Sequence, residues 1–95
     1  MFIVVNTITA SGPALQAMVE SFRRAAPEMR QFSGFLGLEI WLGDGGLKAV
    51  SRWASREAFQ EYPKSEVFRR HHRGMGGEQA LRAAHITFYE GEVMA

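Results

Sequence analysis

The stretch SEVFRRHHRG, residues 65–74, sets two adjacent histidines and three arginines behind one phenylalanine. On a helix, Phe68 and His72 share a face at a spacing of four, as do Val67 and His71, while Arg69 and Arg73 share another. A neutral imidazole at the edge of an apolar pocket is a good ligand for iron, and a large flat apolar cofactor would need aromatic neighbours. The competing reading is that the helix ends here, its positive residues answering the carboxyl-end dipole and Gly74 closing it. Asn6 is the odd residue of a β-branched run, on the same face as Phe2, Val4 and Ile8. A strand interior disfavours Asn. Its amide either satisfies a backbone group near the strand end or donates a hydrogen bond inside an apolar pocket. Trp53 stands just before a helix cap, a place where most tryptophans are core.

Other chemistries lack their residues. There is no cysteine, which removes disulfides, thiolate catalysis and iron–sulfur clusters. His71 and His72 point about 100° apart on a helix. Only His85 remains as a third histidine and no H-E-x-x-H occurs, so zinc is not expected. GDGG is not followed by the Lys-Ser/Thr pair of a phosphate loop. The spacing assembles no Ser-His-acid set. Eleven basic against ten acidic side chains leave a net charge of +1, no case for nucleic acid or an anionic membrane. The arginines are nevertheless clustered, at 23 and 24 and at 69, 70 and 73, which leaves room for a small anionic ligand.

Ninety-five residues, 46% of them apolar, suit one domain spanning 1–95. MFIVVNTITA has no positive leader and is too short for a membrane span, so a soluble, cytoplasmic protein is expected.

The elements that position these residues follow from pattern. MFIVVNTIT reads as a strand, apolar on both faces and so covered on both. In SGPALQAMVESFRRAAPE, Ser11 or Gly12 can cap a helix, Pro13 suits its first turn, and Leu15, Met18, Val19 and Phe22 recur at helical spacing. Pro27 is expected to end it. GFLGLEIWL and LKAVSRW read as a hairpin about GDGG, with Leu36, Leu38, Ile40 and Leu42 opposite Phe35 and Trp41. SREAFQEY and SEVFRRHHR are short helices capped by Ser55 and Ser65. GMGGEQ reads as a loop, and ALRAAHITFYEGEVM as the last strand. The order β-α-β-β-α-α-β predicts an α+β, ferredoxin-like antiparallel sheet with its second helix broken in two. Helices on one side leave the other sheet face apolar, and a second copy of the same sheet is the expected cover, making a homodimer.

Asn6, Trp53 and His72 coincide with GFLGLE and with the W-x-S-x-x-A-F and S-E-x-F-x-x-x-H elements of RWASREAFQEYPKSEVFRRHH. Together they resemble the Isd-type haem-degrading monooxygenases of the antibiotic-biosynthesis-monooxygenase group, over essentially the whole chain. The resemblance implies a dimeric α+β barrel and haem as both substrate and cofactor. It also implies dioxygen and an external electron donor, either a reductase or a small reductant. The implied outcome is opening of the macrocycle with release of iron. By the same likeness, His72 is the iron ligand, Asn6 the amide facing dioxygen, and Trp53 the ring that presses the porphyrin out of plane. Phe22 and Phe68 are walls of the pocket. His71 stands where the family has a small residue. Arg23, Arg24 and the helix arginines are candidates for the propionates. Asn plus Trp is shared with cofactor-independent quinol- or anthrone-type monooxygenases, and the histidine after SEVF separates the haem branch. A non-catalytic haem-binding dimer is the third reading.

Overall fold

The computed structural model describes residues 1–74 and 84–95, with side chains at 1–71 and 85–95. Strand β1 (Phe2–Thr9) leads into helix α1 (Gly12–Ala25) and a 3₁₀ segment (Ala26–Gln31). Strands β2 (Phe35–Gly43) and β3 (Gly46–Trp53) form a hairpin, followed by helices α2 (Arg56–Gln60) and α3 (Glu66–Gly74) and strand β4 (Ala84–Glu90). The sheet order is β2-β3-β1-β4, with every neighbouring pair antiparallel. This is the expected α+β, ferredoxin-like arrangement. The expected GMGGEQ loop falls largely outside the described residues.

The α-helix stops at Ala25, just before Pro27, as expected. Pro27 sits in the first turn of the 3₁₀ segment that follows, where its missing N–H costs no hydrogen bond. Two other local expectations are corrected. The last strand ends at Glu90, well short of Met94. A register shift between Phe35 and Gly37 then breaks the alternation of β2. Phe35 pairs with Trp53 and Leu38 with Ser51, so Phe35 shares the helix-side face with Leu38, Ile40 and Leu42. Leu36 is left 58% exposed. One extra residue in a strand changes which face every residue before it occupies.

Capping follows the serines. Ser55 Oγ accepts from Ala58 N at 3.1 Å, and Ser65 Oγ from Phe68 N at 3.1 Å, each relieving an orphan donor of a short helix. Ser65 also donates to the Tyr62 carbonyl at 2.6 Å, which closes the turn between α2 and α3. Arg70 reaches Glu28 at 2.8 Å and ties α3 to the 3₁₀ segment.

The core comprises two clusters on the helix side of the sheet. One holds Phe2, Val4, Met29, Trp53 and Val67. The other holds Ile8, Leu47 and Ala49 beneath Leu15, Met18, Val19 and Phe22 of α1. At the hairpin, Gly46 has φ +153°, and a Cβ there would collide with the Ile8 carbonyl oxygen. Gly43, three residues earlier, has open space around it. Gly46→Ala should therefore lower the urea-unfolding free energy by about 2–3 kcal/mol, while Gly43→Ala should cost under about 1 kcal/mol. Equal midpoints for the two variants would contradict this reading.

Candidate active site

Where the two core clusters meet, the middle of the sheet carries small or polar residues, Asn6 on β1 and Ala49 and Ser51 on β3. They leave unfilled a cavity of about 330 Å³. Val4, Asn6, Ala49 and Ser51 make its sheet wall, and Phe22, Met29, Phe59, Tyr62, Phe68 and His71 face them from the helical side. Ile86 and Phe88 of β4 border it and are about half exposed, at 50% and 51%. Its surface is mainly apolar, with a few polar groups, the usual composition of a small-molecule site.

Asn6 does not sit at a strand end. It pairs with Ala49 and Ile86 in the middle of the sheet, and its Oδ1 is buried without a hydrogen-bond partner among the described residues. An unmet buried acceptor costs about 1–3 kcal/mol, and Asn6 lines the cavity, so its amide is an expected contact point for a ligand.

Tyr62 precedes Pro63 in the turn between α2 and α3, and its Oη lies 3.1 Å from His71 Nδ1. Its ring stands edge-on to Phe68 at 5.2 Å and to Phe32 at 5.6 Å. Burial disfavours the phenolate and pushes the Tyr62 hydroxyl up to about 12, so it keeps its proton through neutral pH. Donation from the phenol to Nδ1 fixes the Nε2–H tautomer of His71, and the reverse direction fixes Nδ1–H.

The structure brings Asn6, Phe22 and Phe68 to one cavity. It places Trp53 behind the cavity wall: the indole is 0% exposed and packs edge-on against Phe35 at 5.2 Å and Phe59 at 5.6 Å. The aromatic rings that meet the cavity from this cluster are those of Phe59 and Tyr62. His72 lies on α3, but its side chain is outside the described residues, whereas His71 contributes to the cavity wall. Tyr62 and Ser51 were not singled out by motif. The available signals were modest: a tyrosine before Pro63 whose hydroxyl needs a partner when buried, and a serine on the inward face of a core strand. Among the described residues, no group of three or more His, Asp or Glu gathers that could hold a bare metal ion. Nor is any described helix long and apolar enough to cross a membrane.

Residues 1–74 match the antibiotic biosynthesis monooxygenase family. The chain belongs to that family. A heme-degrading monooxygenase of Bacillus mycoides is 32% identical, over 99% of this chain and 92% of its own length. A heme oxygenase (staphylobilin-producing) of Staphylococcus epidermidis is 30% identical, over 80% of this chain and 77% of its own. Among solved structures, Rv0793 of Mycobacterium tuberculosis superposes with a TM-score of 0.77 at 22% identity, covering 99% of this chain and 97% of that one. SnoaB of Streptomyces nogalater, a cofactor-independent oxygenase, superposes at 0.76 and 16% identity, covering 98% and 94%. These two structures share the fold of the present monooxygenase.

The raised Tyr62 hydroxyl has a measurable consequence. An unfolded tyrosine ionises near ~10, so the folded state holds the extra proton between there and about 12. The Tyr62 contribution to stability should be lost as pH rises through that window. Spectrophotometric titration of the folded protein should show a phenolate step near pH 12 that is missing in Tyr62→Phe.

Proposed function

We propose that this monooxygenase binds haem in the cavity and degrades it. The observation that carries the reading is Asn6 on the sheet wall, an amide in an otherwise largely apolar cavity that an imidazole-bearing helix lines from the other side. The relatives named for heme degradation support it independently. The described residues fit a flat apolar macrocycle: aromatic and aliphatic walls, few polar groups, and the His71 imidazole on the helical side.

His72 on α3 would hold the iron, with His71 anchored beside it through Tyr62. When bound, haem supplies an iron centre for dioxygen and electrons, and is itself the ring to be opened. Asn6 offers hydrogen-bonding capacity on the opposite wall and orients a small polar ligand there. Tyr62, Phe59 and Phe68 would pack against the flat ligand, and the Trp53 indole, expected to press on the ring itself, would back Phe59 and Tyr62 instead. The apolar walls exclude water. Electrons come from an external reductase or a small reductant.

Of the candidate arginines, Arg23 pairs with Glu20, Arg69 with Glu66 and Arg70 with Glu28. Arg24, beside the cavity-lining Ala25, has no ion pair among the described residues and is the arginine assigned to a propionate.

A second copy is proposed to cover the far face of the sheet. That face carries Ile3, Val5 and Val50, with Trp41 and Tyr89 about half exposed. It also carries the Arg52–Glu39 ion pair at 2.7 Å. The Arg52 hydrogen bond is the main cause holding the Glu39 carboxyl below its usual range, followed by that of Trp41. Apolar residues set among paired charges suit a two-fold, self-complementary contact. Sedimentation should give twice 10.6 kDa at micromolar concentration, and Val5→Asp should return the 10.6 kDa species.

Hemin titration tests the central proposal. A saturating Soret band at one equivalent per chain should appear, and reductant with air should bleach it with release of iron. His72→Ala should abolish the band. His71→Ala and Asn6→Ala should keep it, the latter losing the bleaching. Arg24→Ala should weaken binding up to about fivefold, as for an exposed charge pair. Featureless, non-saturating absorbance would favour a cofactor-independent oxygenase, and binding without bleaching a carrier.

A further inference from the structure

Ser51 has so far been only part of a wall. Trp53 Nε1 donates to Ser51 Oγ at 3.0 Å, and the donor is fully buried among aromatic rings. One lone pair of the hydroxyl is thus committed to a donor with little freedom to move, and the hydroxyl turns its own proton away from the indole. That proton has no acceptor among the described residues, and Ser51 lines the cavity.

The β1–β3 register sets Val4 opposite Ser51 and Asn6 opposite Ala49. Ser51 and Asn6 are therefore diagonal neighbours on one face, about 7–8 Å apart by ordinary sheet geometry. Both side chains stand on that face, close enough for hydrogen bonds of about 2.7–3.0 Å from each to converge on one small polar group above the sheet. The other diagonal, Val4 and Ala49, is aliphatic, so the polarity of this wall is confined to the one pair.

We infer that Ser51 is a second hydrogen-bond donor of the sheet wall, oriented by Trp53, which together with the amide N–H of Asn6 positions a diatomic ligand on the side of the haem facing the sheet. The inference rests on the haem reading above. It gives Trp53 a polar role toward the site that its burial otherwise denies it: the indole acts through the serine. Ser51 and Trp53 are positioning residues in this arrangement.

Carbon monoxide on the reduced hemin complex and cyanide on the oxidised complex are the probes. Ser51→Ala should shift the C–O stretching band to higher frequency and weaken cyanide binding about three- to tenfold, the loss of one hydrogen bond. Ser51→Thr keeps the hydroxyl and should restore both values. Trp53→Phe should move the band in the same direction as Ser51→Ala, because the hydroxyl is then free to turn. A wild-type protein with a saturating Soret band, and a Ser51→Ala variant identical to it in both readouts, would overturn the inference and leave the haem reading standing. No Soret band in the wild type would overturn both.

Discussion

The burial of one indole organises the functional end of the molecule. Trp53 closes β3 where the 3₁₀ segment, β2 and α2 converge, with Phe32, Phe35, Phe59 and Tyr62 around it. A side chain of this size removes about 150–250 Å² from water, on the order of 4–6 kcal/mol as an upper estimate. Its one polar atom would be costly to bury unpaired, and Ser51 accepts it. The same contact that satisfies the tryptophan fixes a hydroxyl on the cavity side. Packing and site chemistry are joined at this hydrogen bond.

The cavity itself is a consequence of side-chain size. Large residues fill both ends of the helix side, around Phe2 and Trp53 at one end and around Ile8 and Leu47 at the other. Between them the sheet offers an amide, a methyl and a hydroxyl. Interiors pack tightly enough that three short side chains in a row leave real space. The helices bridge that space because they are anchored elsewhere, α3 by Val67 in the core and by the Arg70–Glu28 pair. What lines the gap from above is then decided by the turn through Pro63, which brings Tyr62 and His71 within hydrogen-bonding distance.

The two faces of the sheet carry different loads. The helix side holds core and cavity; the other mixes aliphatic residues with charge. Glu39, Trp41 and Arg52 form a linked polar group at the β2–β3 rim of that second face, since Glu39 accepts from Trp41 Nε1 at 2.9 Å and pairs with Arg52. The bulge at the start of β2 lets one strand serve both faces. It turns Phe35 toward Trp53 while Glu39 and Trp41 keep their outward register.

Local pattern was enough for much of this. The β-branched runs, the serine caps and the GDGG turn each determine their element through short-range sterics and hydrogen bonding, which is why the order of elements was legible in the chain alone. Asn6 stood out because an amide inside an apolar strand has few other uses. Pairing is different, because a bulge depends on the partner strand, and alternation read along β2 put Phe35 on the wrong face. The site shows the same division. Asn6 was marked by its type within an apolar strand, while Phe22 and Phe68 were named as pocket walls only through the family resemblance; all three line the cavity. Whether Trp53 touches the cavity or backs it, and that Tyr62 meets His71, depend on how the β3 end, the 3₁₀ segment and the α2–α3 turn converge. Those contacts join residues on separate elements, and only tertiary packing decides them.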